Sequence, residues 1–345
     1  KVNLALDSGA YSLYFKYIVP KFSRGSGGSS AESKHFINSH ADFSFYDGPK
    51  YKKYVDDYVS FVKQNEQAFD FYVTLDIIFN AKLTWESTLY LESCGLKPLP
   101  VFHYGEDFNL LKKYIDKYEY VGLGGLGQDT NKRQYIEFAD HAFKMICDAK
   151  GRPSNRVHGF AMASFDLMLR YPWHSVDATT PFYHSSSGNI VTPSPVMKNG
   201  KVVSWNYFTP PKTWAVTDRR RHQPRSMEWQ PQDSQKIFQQ YLESLGYTAA
   251  DLQLYHVRDV INMYFFMTVV SKINDNREEK LGSVYPLRFY ISGKASGQGV
   301  GLGIENVLAG LEKLNIPELN YLGTFFIPAT TRYLLKQKLH SGHTH

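Results

Sequence analysis

Asp7, Asp76 and Asp177 are the residues of this chain best placed to do chemistry. Each lies at or near the end of an apolar run that reads as a β-strand: Val2 to Leu6, Phe69 to Ile78 ending near Asp76, and His174 to Asp177. If those strands lie in one parallel barrel, the carboxylates converge on the rim where such folds keep their active sites. Clustered carboxylates serve as nucleophile and acid/base, which is what cleaving a bond to an anomeric carbon requires. An aspartate at a strand end also caps the next helix or accepts turn hydrogen bonds, the simpler reading for any one of them. All three in one motif order favour catalysis.

The elements that must position them alternate. Tyr51, Tyr54, Val55, Tyr58, Val59 and Val62 recur at helical spacing. Ala81 to Cys94 reads as a helix stopped by Gly95, Leu99 to Tyr104 as a strand, and Phe108 to Tyr118 as a helix. Tyr120 to Leu123 is a strand running into Gly124 and Gly125, followed by a helix from Thr130 to Ala149 and a strand from Arg156 to Met162. Ser164, with Asp166 in the first turn, is expected to cap a helix through Leu169. Strands alternating with helices imply a parallel sheet with right-handed crossovers. The spacing predicts an α/β fold, a (β/α)8 TIM barrel over 1–345 as a single domain. The regularity breaks at 183–250, which is expected to be a long basic insertion after strand 6. A helix from Leu252 to about Lys272, a strand from Leu287 to Ile291, a helix from Ile304 to Leu314 and Tyr321 to Phe326 complete the barrel.

With 345 residues the chain can bury a large core, and its net charge of +6 tolerates a polyanionic partner without demanding one. The only cysteines, Cys94 and Cys147, build neither a disulfide framework nor a cysteine-rich zinc site. No run is long and apolar enough to span a membrane, and no charged-then-apolar leader opens the sequence. The expectation is a cytoplasmic protein with no membrane partner. The Ser/Gly-rich stretch 23–33 reads as a mobile loop, and the histidines from His340 to His345 as a frayed terminus.

Several of these segments resemble a known family. Asp7-Ser8-Gly9-Ala10-Tyr11-Ser12 is similar to the Asp-Ser-Gly-Gly-Phe-Gln motif of tRNA-guanine transglycosylases, and Val121 to Leu126 to that family's glycine-rich base-pocket strand. His158 to Ser164 and Tyr171 to Asp177 resemble more closely the DpdA-type branch of phages and bacteria, which inserts 7-deazaguanine bases into DNA. The likeness spans about residues 2–180.

The resemblance implies a base exchange. Asp177 would be the nucleophile at C1′ of a guanosine, and Asp7 the acid/base that serves departing guanine and the incoming base. Asp76 would read the base edge through N1–H and the exocyclic amine. Ser8, Gly9, His103, Gly124, Gly125, Phe160 and Met162 would complete the base pocket; His103 stands near a position where the family carries glutamine. The family's structural zinc, held by three cysteines and a histidine, does not fit a chain with two cysteines, so no metal and no cofactor are expected. That departure favours DNA over tRNA as the polymer, with a base such as preQ0 as co-substrate.

Lys198, Lys201, Lys212, Arg219, Arg220, Arg221 and Arg225 face one acid, Asp218, with Trp205, Tyr207, Phe208 and Trp214 interleaved. Cations tracking phosphates while aromatics stack on bases would bind single-stranded DNA or a flipped guanine. The plainer alternative is a solvated loop with its aromatics packed beneath it. Gly297 to Gly303 lacks the ending of a phosphate loop and reads as a rim loop. His103 and His158 on apolar strands read first as satisfied buried imidazoles. Three rival functions stay open: a zinc-free tRNA transglycosylase, a non-catalytic nucleic-acid-binding subunit, and a sugar hydrolase on the same fold.

Overall fold

In the computed structural model the apolar run Val2–Asp7 forms strand β1, and Gly9, with φ of 74°, turns the chain into a short helix α1, Ala10–Leu13. The structure describes residues 2–18, 43–125, 132–162, 164–217, 226–282, 284–293, 309–314 and 319–324. The chain divides into two compact units, one holding Asn3–Ala149 and Pro153–Ala161, the other Met162–Asn320. The Ser/Gly-rich stretch 23–33, the glycine run 297–303, Arg219, Arg220, Arg221, Arg225 and the terminal histidines lie outside the described residues.

In the first unit helices and strands alternate: α2 Pro49–Asn65, β2 Phe71–Tyr72, α3 Ala81–Ser93, β3 Val101–His103, α4 Phe108–Lys117, β4 Tyr120–Gly124, α5 Lys132–Ile146 and β5 Arg156–Gly159. β1 pairs with β2, β3 with β4, and β4 with β5, all parallel, and a parallel bridge between Val73 and Leu99 carries β2 to β3. The result is a parallel five-stranded sheet in chain order, the α/β arrangement the alternation predicts. Tyr58 and Val62 of α2 pack with Leu6, Tyr72, Leu75, Leu91 and Leu96 into one core. Burying each of the large apolar side chains contributes roughly 1.5–3 kcal/mol.

The second strand is much shorter than the run from Phe69 to Ile78 suggests. Beyond Val73 the backbone leaves the ladder because α3 captures it: Thr88 bonds Thr74 through their hydroxyls at 2.8 Å, and Ile77 N donates to Thr84 Oγ1 at 2.8 Å. Asp76 therefore sits in a turn past the strand, not within it. β5 likewise ends at Gly159, short of Met162, where Ala161 takes a left-handed φ of 53°.

The second unit carries α6 Phe165–Arg170, β6 Ser175–Ala178, α7 Thr180–Ser186, β7 Asn189–Thr192, β8 Ser194–Lys198, β9 Lys201–Asn206, β10 Lys212–Ala215, α8 Gln232–Ser244, α9 Tyr255–Leu281 and β11 Arg288–Gly293. Ser164 occupies the N-cap position of α6, but its side chain makes no capping bond, contrary to expectation. The described residues of 183–250 hold more regular structure than their composition suggests. β7 and β10 pair antiparallel, and β8 and β9 form a hairpin closed by Asn199 and Gly200 at φ 50° and 72°. Two positive φ values in an Asn-Gly pair are the signature of a tight hairpin turn. α9 runs on past Lys272 to Gly282, whose φ of 70° ends it. A last strand, β12, covers Leu319–Thr324. No described helix is long and apolar enough to cross a membrane.

Candidate functional site

Asp76 is the centre of the clearest polar constellation in the first unit. Ser8 Oγ donates to Asp76 Oδ1 at 2.5 Å, and His103 Nε2 lies 2.9 Å from Asp76 Oδ2. The other face of the imidazole meets Glu106: Nδ1 is 3.3 Å from Oε1, while the His103 backbone N–H donates to Oε2 at 2.9 Å. Ser8 follows β1, Asp76 follows β2, His103 ends β3, and Glu106 stands in the turn after it. All four thus occupy the C-terminal ends of successive parallel strands, where a parallel sheet leaves its loops free for ligands.

Each member has a local reason for its place. Ser8 Oγ also accepts from Ala10 N at 3.1 Å, and Tyr54 of α2 donates its hydroxyl to the Ser8 carbonyl, so the turn after β1 is held from both sides. Tyr58, one helical turn further, donates to Val73 O at 2.5 Å and fixes the end of β2. Thr84 and Thr88 anchor the turn that carries Asp76. Gly105, at φ 91°, lets the chain fold back so that Glu106 reaches His103.

The glycines of β4 serve this arrangement as much as any ligand. A Cβ on Gly124 would stand 3.1 Å from Val101 Cγ1 and 3.2 Å from His103 Cδ2. Gly125 has φ of 76°, and a Cβ there would come within 3.0 Å of Tyr104 N. Gly122 makes room for Phe160, whose Cε2 would lie 2.6 Å from a Cβ at that position.

Electrostatics follows from burial and charge. Burial alone would pull His103 down, but Asp76 and Glu106 outweigh it and raise its pKa to about 9. The imidazole is therefore a cation between two carboxylates at neutral pH. Burial first, with nearby Asp7, Tyr51, Asp76 and Tyr46 adding to it, pushes the Tyr54 phenol far up, and burial does the same for Tyr46 and Tyr51. The phenols of these tyrosines therefore stay neutral. Phe79, three residues past Asp76, is exposed and takes a left-handed φ of 64°, an uncommon conformation for phenylalanine.

Of the residues the sequence singles out, the first unit brings Asp76, Ser8 and His103 into direct contact, with Gly124 and Gly125 packed against the histidine. His103 corrects one expectation: both ring nitrogens are engaged by carboxylates, so neither is left to read a base. Glu106 was not anticipated; its signal was the spacing of three residues from a histidine at a strand end. Asp7 closes β1 and is half-buried. His158 is buried against Phe71 and Phe160, as a core imidazole.

In the second unit Asp177 lies on β6, 5 % exposed, in register with Tyr290 of β11. Met162 is buried. The expected nucleic-acid face divides. Trp214 is 2 % exposed, donates Nε1–H to Thr192 Oγ1 at 2.8 Å, and packs on Phe238, so it belongs to the core and cannot stack on a base. Tyr207 is buried against Phe265, and Trp205 packs edge-on against Tyr241. Lys212 lies with Nζ 3.9 Å from the centre of the Trp214 ring. Exposed instead are Lys198 and Lys201, directly opposite one another at the hairpin tip, with Met197 and Val203 beside them and Phe208 just beyond β9.

No group of three or more metal-ligating side chains occurs among the described residues. Compared with protein-family models, curated proteins and solved structures, the chain gives no match.

Proposed function

We propose that this chain is a DNA-guanine transglycosylase that exchanges guanine in DNA for a 7-deazaguanine. The observation that carries the reading is the doubly supported Asp76 just past β2, one strand over from the Asp7-Ser8-Gly9 turn. A carboxylate fixed in this way retains lone pairs able to accept two adjacent N–H groups from the edge of a guanine-like ring. Five parallel strands in chain order are what the first five strands of a (β/α)8 barrel supply, and that fold is part of the proposal.

In this reading Asp177 attacks C1′, the C1′–N9 bond breaks, and guanine departs with a proton from Asp7. The incoming base loses a proton to Asp7 and attacks C1′, displacing the Asp177 carboxylate with net retention. The target guanosine must be single-stranded or flipped from the duplex, which takes a few kcal/mol. The hairpin tip, with Lys198 and Lys201, supplies phosphate contacts.

Incubating the protein with DNA, labelled guanine or preQ0, and in parallel with tRNA, tests the proposal. Nucleoside digestion is expected to reveal the new base in DNA only. Asp177→Asn should abolish a trapped protein–DNA adduct while circular dichroism stays native. Exchange on tRNA alone, or full turnover by the Asn variant, overturns the reading.

A further inference from the structure

The polar chain that begins at Ser8 does not stop at the base-reading carboxylate; it runs on through His103 to Glu106, a residue with no part in the exchange itself. Glu106 grips His103 twice, through the backbone N–H and through Nδ1, with a different carboxylate oxygen for each. That double grip sets the ring so that Nε2 faces Asp76 Oδ2. The neighbouring strand and the turn after it close the remaining space, since a Cβ on Gly124 or Gly125 would lie only 3.2 Å from a His103 carbon.

A neutral imidazole has one N–H and one lone pair, so a carboxylate on each nitrogen leaves one pair of lone pairs opposed. Only the form with both nitrogens protonated satisfies both neighbours. We propose that Glu106 is a positioning residue: by clamping His103 as a donor in both directions, it holds Asp76 as an open acceptor for a ring with adjacent N–H groups. The ligand class is a 2-amino-4-oxo-pyrimidine edge, as in guanine and 7-deazaguanines, and rings presenting an acceptor there are rejected. The ligand half rests on the base-exchange reading; the clamp rests on geometry alone.

The charged neighbours are few. Asp76 and Glu106 face the imidazole, and Asp7 is close enough to act on Tyr54 and Tyr58. Tyr46, Tyr51 and Tyr54 around Asp76, and Tyr114 of α4 near Glu106, are held neutral mainly by burial. Nothing else among these groups supplies the positive charge. The raised basicity of His103, to about 9, agrees with that count.

Glu106→Gln keeps the shape and removes one carboxylate. Ring nitrogen NMR of the full chain should give a His103 midpoint near 9 in the parent. In the variant it should fall by at least about one pH unit, with the other histidine signals unchanged as a check on folding. Calorimetric titration with guanine at about pH 8 should show binding weakened about twofold or more in Glu106→Gln, and adenine should bind to neither protein. An unchanged His103 midpoint in the variant overturns the clamp. A shifted midpoint with unchanged guanine affinity overturns the link to Asp76. If the parent binds no guanine while His103 titrates as described, the base-exchange reading and the ligand half fall together, and the clamp is upheld.

Discussion

Asp76 Oδ2 and His103 Nε2 stand 2.9 Å apart with side chains only 11 % and 7 % exposed. An ion pair this buried is weak evidence of stability by itself, because desolvating both charges offsets much of their attraction. What makes it tenable here is the company it keeps. Ser8 donates to the second Asp76 oxygen and Glu106 takes the second imidazole nitrogen, so both carboxylate oxygens and both ring nitrogens have a partner. Removing one member leaves an uncompensated charge, which is where the penalty becomes large.

His103 is raised from 6.5 to about 9 on folding, burial opposing and the two carboxylates prevailing. A raised basic group binds its proton more tightly in the folded state. Its contribution is complete below the unfolded value of 6.5 and is lost as pH climbs through about 9. Its size is on the order of 3 kcal/mol at most. Urea unfolding followed from about pH 6 to pH 10 should reveal the decline, and His103→Gln should flatten it. A parent whose stability is level over that window contradicts the assignment.

The constellation was legible in the sequence only in part. Asp7, Asp76 and Asp177 each end an apolar run, and strand ends can be read from patterning. That Asp76 meets His103, 27 residues on, depends on which strands become neighbours and in what register, which no local pattern encodes. Glu106 left a trace in its spacing from His103, but a glutamate in a polar turn looks like any solvated charge. Asn199-Gly200 was a readable hairpin signal, masked by flanking strands that lack strict alternation and end in lysines. Trp214 looked exposed because it stands among basic residues; its partner Thr192 is 22 residues away.

Asp259 on α9 supplies the opposite lesson about buried charge. Burial raises its carboxyl from 3.8 to about 7 despite Ser185 and Arg258, and Oδ1 has no hydrogen-bond partner among the described residues. The folded state therefore favours the protonated acid. Stability linked to this group is complete below 3.8 and lost as pH rises through about 7. Arg258 does not depend on it, since its guanidinium donates to the carbonyls of Ser185, Leu252 and Gln253. Asp259→Asn should gain about 1–3 kcal/mol over the parent near pH 8 and nothing near pH 4, measured by paired urea titrations. A loss at both pH values would show the carboxylate to be needed.

Arg277, near the end of the same helix, is buried and stays charged, although burial lowers its pKa to about 10. It donates to the carbonyls of Met168 at 3.2 Å, Tyr171 at 2.6 Å and Trp173 at 2.6 Å. Those acceptors end helix α6 and lead directly into β6, which carries Asp177. Arg277→Leu removes the guanidinium donor shared by all three and should destabilise by about 3 kcal/mol or more. The loss should appear in the unfolding midpoint. Arg277→Lys, with a point charge in place of a planar fork, should recover only part of it. Full recovery by lysine would mean that charge alone, not the spread of donors, holds the segment.

The hairpin separates binding from stability. Lys198 and Lys201 pair directly across β8 and β9 at the tip, so two like charges are held together with no acid opposite them in the ladder. In isolation such a pair is unfavourable, and removing it should not harm the fold. Under the proposed DNA-binding role the same pair would neutralise phosphates and release counterions. Replacing both by alanine should weaken affinity for single-stranded DNA and reduce the slope of log affinity against log salt by up to about 2. Trp214→Ala is the contrasting variant. Its ring packs on Phe238 and bonds Thr192, so it should lose about 3–5 kcal/mol of stability. Where that variant remains folded, it should bind DNA with the parent's salt dependence. Fluorescence anisotropy across a salt series, beside urea unfolding of each variant, distinguishes the two effects. A double lysine variant with an unchanged salt slope would remove the hairpin from the nucleic-acid interface.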